Sequence, residues 1–212
     1  IKLLIHKLKL RKINTMKSNI NQYYDATKGI EAHSNIQEFL KLNVEPSNAI
    51  DLGCGAGRDT IELIKNKWHV LSIDKENNEK LIREQLSNEE QDKFEFYQSL
   101  FGSMILPKCK LIVANFSLPF TKVEFFKETW NKIESSLLDE GYFVGNFFGK
   151  KDSWISDEKR KLVFLEESEV KNLFDNFIIV KFNEIEKDVK LASGKEKHWH
   201  LYEVIARKVK LT

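Results

Sequence analysis

The chain has 212 residues, of which 42% are hydrophobic and 31% are charged, a balance typical of one globular domain and not of a disordered chain. No apolar run approaches the ~20 residues that a membrane-spanning helix needs, so we expect no membrane association. The two cysteines, Cys54 and Cys109, exclude a disulfide framework, and we expect reduced thiols in a cytoplasmic protein.

The formal net charge of +2 is unevenly distributed, because residues 1–15 carry five basic residues and no acid. The mildly acidic remainder argues against an extended nucleic-acid-binding surface. The basic segment fits an amphipathic helix that lies on a membrane or reaches RNA, an organelle-type presequence, or an extension upstream of the working domain. We favour the last interpretation, which predicts an extension over 1–15 and one domain over 16–212.

Hydrophobic periodicity predicts alternating helices and strands along the chain. In chain order, it predicts a helix over 31–42, a strand over 49–52, a helix over 57–66, a strand over 68–73, a helix over 76–86, strands over 94–97 and 111–115, a helix over 122–138, a strand over 141–148, a helix over 168–174, and strands over 177–182 and 200–208. This alternation predicts an α/β fold with a single, doubly wound, mostly parallel sheet of seven strands and helices on both faces.

A glycine-rich turn joins the first predicted strand to the next helix, in Asp51-Leu52-Gly53-Cys54-Gly55-Ala56-Gly57. Glycine permits a tight turn and close approach of a ligand, at the place where nucleotide-like ligands bind in such sheets. The dinucleotide fingerprint would need a glycine in place of Arg58, which disfavours a nicotinamide oxidoreductase, and the chain has no phosphate-loop pattern. Asp74 ends the second predicted strand, about 20 residues further on, as expected of a ribose-binding acid.

These residues resemble motif I of the S-adenosylmethionine-dependent methyltransferases with a Rossmann-like fold. In that family the glycine turn passes under the methionine part of the cofactor, and the acid after the second strand holds the ribose hydroxyls. The resemblance therefore implies S-adenosylmethionine as the cofactor and assigns the ribose to Asp74. The family adds an antiparallel hairpin as its last two strands, which the final predicted pair fits.

The ends of the other parallel strands should also face the cofactor. Where the family often has an acid that contacts the adenine, this chain has Ser99, so a backbone contact would substitute. The segment 115–120 follows the fourth strand and predicts an aromatic wall beside the cofactor. The predicted cofactor-binding residues are Asp51, Gly53, Cys54, Gly55, Gly57, Arg58, Asp74, Lys75, Ser99, Leu100, Asn115, Phe116 and Tyr24.

Two of these assignments have alternatives. Arg58 either binds the methionine carboxylate or an anionic substrate, or forms a surface ion pair with Asp59 or Glu62. Tyr24, with Tyr23, either closes over the site as a lid or packs on the body of the protein.

The catalytic residues are not assigned by the sequence, because methyl transfer from a sulfonium needs alignment and exclusion of water more than a dedicated side chain. Asp152 and Trp154, after the fifth predicted strand, are candidates to hold a substrate. His198 and His200 share one face of the last strand and are candidates for a base or for structural hydrogen bonding. Two histidines without a third ligand predict no metal site.

Over roughly residues 20–208 the chain is also similar to small bacterial methyltransferases of the tellurite-resistance type. The similarity rests on Gly57-Arg58-Asp59, on the Asn-x-Ser-Leu-Pro-Phe segment at 115–120 and on Lys197-His198-Trp199-His200. It implies methyl transfer to a small-molecule acceptor by in-line displacement, with no nucleic-acid partner. An RNA or protein methyltransferase and a non-catalytic S-adenosylmethionine-binding module remain the alternatives, and the oligomeric state is not determined.

Overall fold

The computed structural model describes residues 29–157, 160–190 and 196–210 of the chain. The predicted extension over residues 1–15 and the predicted lid residue Tyr24 lie outside these ranges. Within them, no helix has the length and apolar character needed to cross a bilayer.

The helices and strands alternate along most of the chain. The helices are α1 (Ser34–Leu40), α2 (Arg58–Lys65), α3 (Glu79–Arg83), α4 (Asn88–Gln91), α5 (Val123–Ser136) and α6 (Glu167–Asn172). The strands are β1 (Asn48–Leu52), β2 (His69–Asp74), β3 (Phe94–Gln98), β4 (Cys109–Ala114), β5 (Leu137–Gly149), β6 (Phe164–Leu165), β7 (Phe177–Lys190) and β8 (Glu196–Lys208).

One sheet connects all of the described strands, in the order β3-β2-β1-β4-β5-β8-β7, with the two-residue β6 paired to β5. The pairs from β3 to β5 are parallel, whereas β8 is antiparallel to both β5 and β7. The predicted fold class, with seven main strands and an antiparallel C-terminal pair, is confirmed.

Helices cover both faces of the sheet, as predicted, because alternate residues of a buried strand point to opposite sides. On one face the strands pack against α5 and α6, through Trp130 and Val170. On the other face they pack against α1, α2 and α3, through Phe39, Leu63 and Ile82.

The predicted elements differ from the structure mainly in one helix and in the last two strands. The helix predicted over 76–86 ends at Arg83, and α4 starts anew because Ser87 and Glu90 form a capping box, which satisfies the free N–H groups of a new helix start. The final strands are longer than predicted, because their polar outer parts pair from Lys181–Ile205 to Lys190–Glu196. Backbone hydrogen bonds between β7 and β8 hold these outer residues, and few of the side chains on β7 are buried. The hydrophobic pattern of the sequence therefore did not predict this part of the two strands.

The turn after β1 is fixed by close contacts to its neighbours. The N–H of Gly53 donates to the carbonyl of Ile73 at 2.7 Å, and Gly57 is the N-cap of α2 with φ of 84°. A Cβ atom at position 57 would lie 2.7 Å from Cγ1 of Ile82. Glycine at this position is therefore required by both the backbone conformation and the packing of α3.

We expect Gly57→Ala to lower the free energy of unfolding by about 2–5 kcal/mol, combining the cost of a left-handed non-glycine residue with overpacking against Ile82. Gly29→Ala is the matched control, since Gly29 also has positive φ (73°) but no described residue lies within 4 Å of an added Cβ. Gly29→Ala should lower the free energy of unfolding only by the cost of the left-handed backbone, about 1–2 kcal/mol. Chemical denaturation measures both, and equal losses would contradict the packing argument.

Candidate active site

A cavity of about 370 Å³ opens where the loops after β1, β2, β3 and β4 converge. Its volume is within the range of small-molecule sites, ~300–1,000 Å³, and its position at the carboxyl ends of parallel strands is where such sheets bind ligands. Most of the predicted cofactor-binding residues line it, namely Asp51, Gly53, Cys54, Gly55, Arg58, Asp74, Lys75, Ser99, Leu100, Asn115 and Phe116. The predicted residue Gly57 instead caps α2 beneath the turn.

Asp74 fixes the glycine turn from the end of β2. Its Oδ2 accepts a hydrogen bond from the N–H of Gly55 at 3.0 Å, and its Oδ1 accepts one from the N–H of Glu76 at 2.9 Å. A carboxylate has about four acceptor positions, so each oxygen can accept a further hydrogen bond. The N–H of Ser99 donates to the carbonyl of Asp74 at 2.9 Å, which leaves other backbone atoms of this loop for the predicted adenine contact.

Asp51 lies beneath the turn and is buried. Its Oδ2 accepts a hydrogen bond from Oγ1 of Thr60 at 2.6 Å. Burial raises the pKa of Asp51 to about 8, and the negative charges of Asp59 and Asp74 add to the increase. Burial, together with the charges of Asp51 and Asp74, also raises the pKa of the Cys54 thiol well above its ordinary value, so this cysteine is not a nucleophile at neutral pH.

The raised pKa predicts a pH-dependent stability. An unfolded aspartate loses its proton near about pH 4, whereas folded Asp51 keeps its proton up to about pH 8. Between these values the folded chain binds more protons than the unfolded chain, so the contribution of Asp51 to stability falls as the pH rises. An asparagine side chain has no proton to lose, and the melting temperature of Asp51→Asn should therefore rise relative to the wild type from about pH 5 to about pH 8.

Each pKa unit corresponds to about 1.4 kcal/mol, or roughly 3–6 °C for a chain of this size. Asp139→Asn is the control, because Asp139 is exposed on β5. Melting curves of the three proteins across the pH range measure the effect. A difference between Asp51→Asn and the wild type that does not change with pH would contradict the buried, protonated state of Asp51.

Three buried polar atoms in the cavity wall have no hydrogen-bond partner among the described residues. They are Nε of Arg58, Oγ of Ser117 and Oγ1 of Thr121. Buried polar atoms in folded proteins are nearly always hydrogen-bonded, so these atoms mark places for the polar groups of a ligand or for water. Within the described ranges, the alternative ion pair between Arg58 and Asp59 or Glu62 is not formed, because Asp59 pairs with His33 instead.

The polar network around Asp59 joins three parts of the chain. The backbone N–H of His33 donates to Oδ1 of Asp59 at 2.9 Å, and Nδ1 of His33 lies 2.8 Å from Oδ2. Asn115 donates from Nδ2 to the same Oδ2 at 2.8 Å, and its own Oδ1 accepts from Asn35 at 2.5 Å. Burial acts to raise the pKa of Asp59, but the hydrogen bonds and charge of His33 and the hydrogen bond from Asn115 outweigh it and lower the pKa.

His33 also lines the cavity, and sequence reasoning missed it. The residue directly precedes α1, and no motif or periodic pattern distinguishes it from an ordinary polar residue at a helix start. Its partner Asp59 is 26 residues away along the chain, so only the fold brings the two together.

An aromatic wall follows β4, as predicted. Phe116 has φ of 47°, which is an unusual conformation for a bulky residue, and Oδ1 of Asn146 accepts a hydrogen bond from its N–H at 2.9 Å. Strained residues of this kind concentrate at functional sites. Phe120, which belongs to the predicted segment 115–120, extends the wall, and so do Phe101 and Phe125, which were not predicted.

The candidate substrate-holding residues Asp152 and Trp154 do not line this cavity. Asp152 is fully buried and accepts hydrogen bonds from Nζ of Lys197 and from the N–H of Trp154. The Lys197 ammonium also lies 4.5 Å from the ring centroid of Trp154 and 4.2 Å from that of Trp199. This arrangement favours a structural role, in which a carboxylate and two indole rings compensate the buried charge of a lysine.

His198 and His200 face the neighbouring strand β7. Nδ1 of His200 accepts a hydrogen bond from the N–H of Lys151 at 3.0 Å, so Nε2 carries the hydrogen, which it donates to Glu184 at 2.8 Å. Nδ1 of His198 lies 2.8 Å from Oδ1 of Asp188. His200, Glu184 and Glu186 are close enough to share an ion, but the hydrogen on Nε2 leaves no free lone pair for one. The arrangement therefore favours structural hydrogen bonding.

We expect Asp152→Ala to lower the free energy of unfolding by about 3–5 kcal/mol, because removing one partner of a buried ion pair leaves the other charge uncompensated. The control is Asp157→Ala, which breaks an exposed pair with Arg160 and should change stability little. Denaturation with and without S-adenosylmethionine measures both variants. Unchanged stability of Asp152→Ala, together with lost activity, would instead support a role of Asp152 in substrate binding.

Comparison with known families accounts for this geometry. Residues 14–193 match the family model described as tellurite resistance protein TehB. The chain belongs to the TehB family. This match spans most of the chain, whereas no protein of curated function matches the sequence.

Solved structures show the same fold as this TehB-family chain. TehB from Haemophilus influenzae superposes with a TM-score of 0.70 at 18% identity, covering 84% of this chain and 62% of that protein. The chain thus spans less than two thirds of the Haemophilus protein. A Burkholderia thailandensis 1,6-didemethyltoxoflavin-N1-methyltransferase, with bound 1,6-didemethyltoxoflavin and S-adenosylhomocysteine, superposes with a TM-score of 0.68 at 16% identity, covering 94% and 90% of the two chains.

The N-methyltransferase NodS from Bradyrhizobium japonicum, in complex with S-adenosylhomocysteine, gives a TM-score of 0.60 at 14% identity and covers 82% of this chain and 86% of that chain. At these identities the structures show the fold. The predicted resemblance to the tellurite-resistance family and to the fold of the S-adenosylmethionine-dependent methyltransferases is confirmed.

Proposed function

We propose that this TehB-family chain transfers the methyl group of S-adenosylmethionine to a small-molecule acceptor. The observation that carries the proposal is a cavity with two different sides. One side holds the glycine turn and Asp74, and the other holds the aromatic residues after β4 together with His33.

The residues on the first side fit the cofactor. Asp74 is proposed to accept hydrogen bonds from the two ribose hydroxyls, because both of its oxygens have a free acceptor position. Arg58, whose buried Nε has no partner among the described residues, is proposed to bind the methionine carboxylate. The loops after β2 and β3, with Lys75, Ser99 and Leu100, are left for the adenosine.

The cofactor would supply an activated methyl group on a sulfonium, so this chain contributes alignment, exclusion of water and handling of a proton. The order of the strands supports a separate acceptor side. Because β1 lies between β2 and β4, a cofactor held by the end of β2 leaves the end of β4 to the acceptor.

A small acceptor is supported by the cavity volume of about 370 Å³ and by the Burkholderia relative, which binds 1,6-didemethyltoxoflavin. We also propose a cytoplasmic location, supported by two buried free cysteines, and a working domain over 16–212 with residues 1–15 as an extension. The family match from residue 14 onward supports this division.

Ligand-dependent melting tests the cofactor assignment. S-adenosylmethionine and S-adenosylhomocysteine should each raise the melting temperature, because a ligand at ~100 times its dissociation constant that binds only the folded state adds about 2.7 kcal/mol of stability. NAD should not raise it. In Asp74→Ala the affinity for S-adenosylhomocysteine should fall at least about tenfold, since each hydrogen bond to a charged group is worth about 1.5–3 kcal/mol.

Asp139→Ala is the control for this measurement, because it removes an exposed carboxylate on β5. The melting temperature of ligand-free Asp74→Ala separates a loosened glycine turn from a lost ribose contact. Unchanged affinity in Asp74→Ala would contradict the ribose assignment. Cofactor binding without formation of S-adenosylhomocysteine across acceptor classes would favour a non-catalytic binding module.

A further inference from the structure

We propose that His33 is the catalytic base of this enzyme and that it takes the proton from an aromatic small-molecule acceptor carrying an O–H or N–H group. The inference rests on the proposed function, since it concerns the acceptor side of the same cavity. It assigns a chemical role to a residue that none of the sequence motifs includes.

The contacts of His33 determine which of its nitrogens is basic. An ionised carboxylate only accepts hydrogen bonds, so Nδ1, at 2.8 Å from Oδ2 of Asp59, carries a hydrogen. In the neutral ring, Nε2 then holds a free lone pair. Nε2 makes no hydrogen bond within the described part of the chain, and the side chain keeps 20% exposure on the cavity.

The imidazole is also held rigidly. Asp59 accepts from both the backbone N–H and Nδ1 of His33, and it is itself held by Asn115 at the end of β4. The ring of Phe116 packs beside the imidazole, with 5.2 Å between ring centroids. A histidine oriented by a buried carboxylate, with its second nitrogen free in a cavity, has the arrangement that general-base catalysis requires.

His33 lies on the acceptor side of the cavity. His33 contacts Phe116 directly and is linked to Asn115 through Asp59. Asn115 and Phe116 follow β4, whereas Asp74 ends β2 on the other side of β1. A ligand held by Asp74 and the glycine turn therefore leaves Nε2 facing the second ligand.

The surrounding side chains define the acceptor class. Phe116, Phe120 and Phe125 line the same cavity, and aromatic rings favour flat aromatic partners in offset or edge-on contact. A base beside such a wall suits an aromatic or heteroaromatic ring whose O–H or N–H must be lost during methylation.

The proposed step is balanced as follows. The acceptor O–H or N–H bond breaks, and its proton moves to Nε2, giving an imidazolium that the Asp59 carboxylate stabilises. The electron pair left on the acceptor atom forms the bond to the methyl carbon. The carbon–sulfur bond breaks, its electron pair stays on sulfur, and the sulfonium becomes a neutral thioether. The proton on Nε2 is later released to water.

The first test needs no cofactor. The probe 4-nitrophenol changes its absorption when it ionises, and it is added to the protein at a pH at which the free probe is mostly protonated. With wild-type protein, binding should produce the nitrophenolate band, because Nε2 accepts the phenol proton. His33→Asn keeps a side-chain donor for Asp59 but has no basic nitrogen, so it should bind the probe without that band. His69→Asn, which changes an exposed histidine on β2, should behave like the wild type.

The second test compares two acceptors of nearly the same shape in the presence of S-adenosylmethionine. Both acceptors are compared at the pH of the first test, at which 4-nitrobenzenethiol is already largely a thiolate whereas 4-nitrophenol keeps its proton. In His33→Asn, kcat for O-methylation should fall at least about tenfold, toward the rate supported by the small fraction of 4-nitrophenol that is already ionised. Its KM should change little, and S-methylation should persist.

The outcomes separate this inference from the proposed function. Nitrophenolate formation and O-methylation at wild-type levels in His33→Asn would overturn the catalytic assignment. An equal loss with both acceptors would also overturn it, because that result indicates a structural role. Failure of wild-type protein to bind either nitroaromatic probe would overturn the aromatic acceptor class. The proposed function itself fails if S-adenosylmethionine does not raise the melting temperature, or if it binds and no acceptor class yields S-adenosylhomocysteine.

Discussion

The glycine turn after β1 makes contacts that are too short to leave room for a side chain. These contacts determine where the walls of the cavity lie. The N–H of Gly53 binds the end of β2 at Ile73, and a Cβ atom on Gly53 would lie 2.5 Å from Cβ of Ser117 in the loop after β4. The ends of three strands are thereby brought against one another. The proposed cofactor side and the proposed acceptor side of the cavity are adjacent because this turn has no side chains at its points of contact.

Three carboxyl groups surround this turn, and the pKa values of two of them, Asp51 and Asp59, are shifted in opposite directions because their partners differ. Asp51 has a hydroxyl donor but no cation beside it, and burial raises its pKa. Asp59 is as deeply buried, but His33 and Asn115 donate hydrogen bonds to it and lower its pKa. Asp74 receives two backbone N–H groups. Partner geometry, and not residue type, therefore determines which of these acids supports the turn, which orients a histidine and which is available to a ligand.

The C-terminal half supports the site at a distance. Lys197 and Asp152 form a buried pair between two tryptophan rings, and Trp199 in turn lies 5.8 Å, centroid to centroid, from Phe116 in the cavity wall. The strained backbone of Phe116 is held by Asn146 of β5. The aromatic wall after β4 thus depends on packing against β5 and β8. This explains why polar residues near the last strand are buried without lining the cavity.

The sequence by itself determined the fold class, the glycine turn, Asp74 and the cofactor class. These are readable because the turn is made of consecutive residues and Asp74, the proposed ribose-binding acid, follows at the distance of about one strand–helix unit. Tertiary structure alone decided which acid pairs with His33, that Arg58 has a buried nitrogen without a partner among the described residues, and that Asp152 neutralises Lys197. The paired residues are 26 and 45 residues apart, and no local pattern encodes such distances. The contact between His33 and Asp59 follows only from the strand order, which brings the loops after β1 and β4 beside the segment before α1.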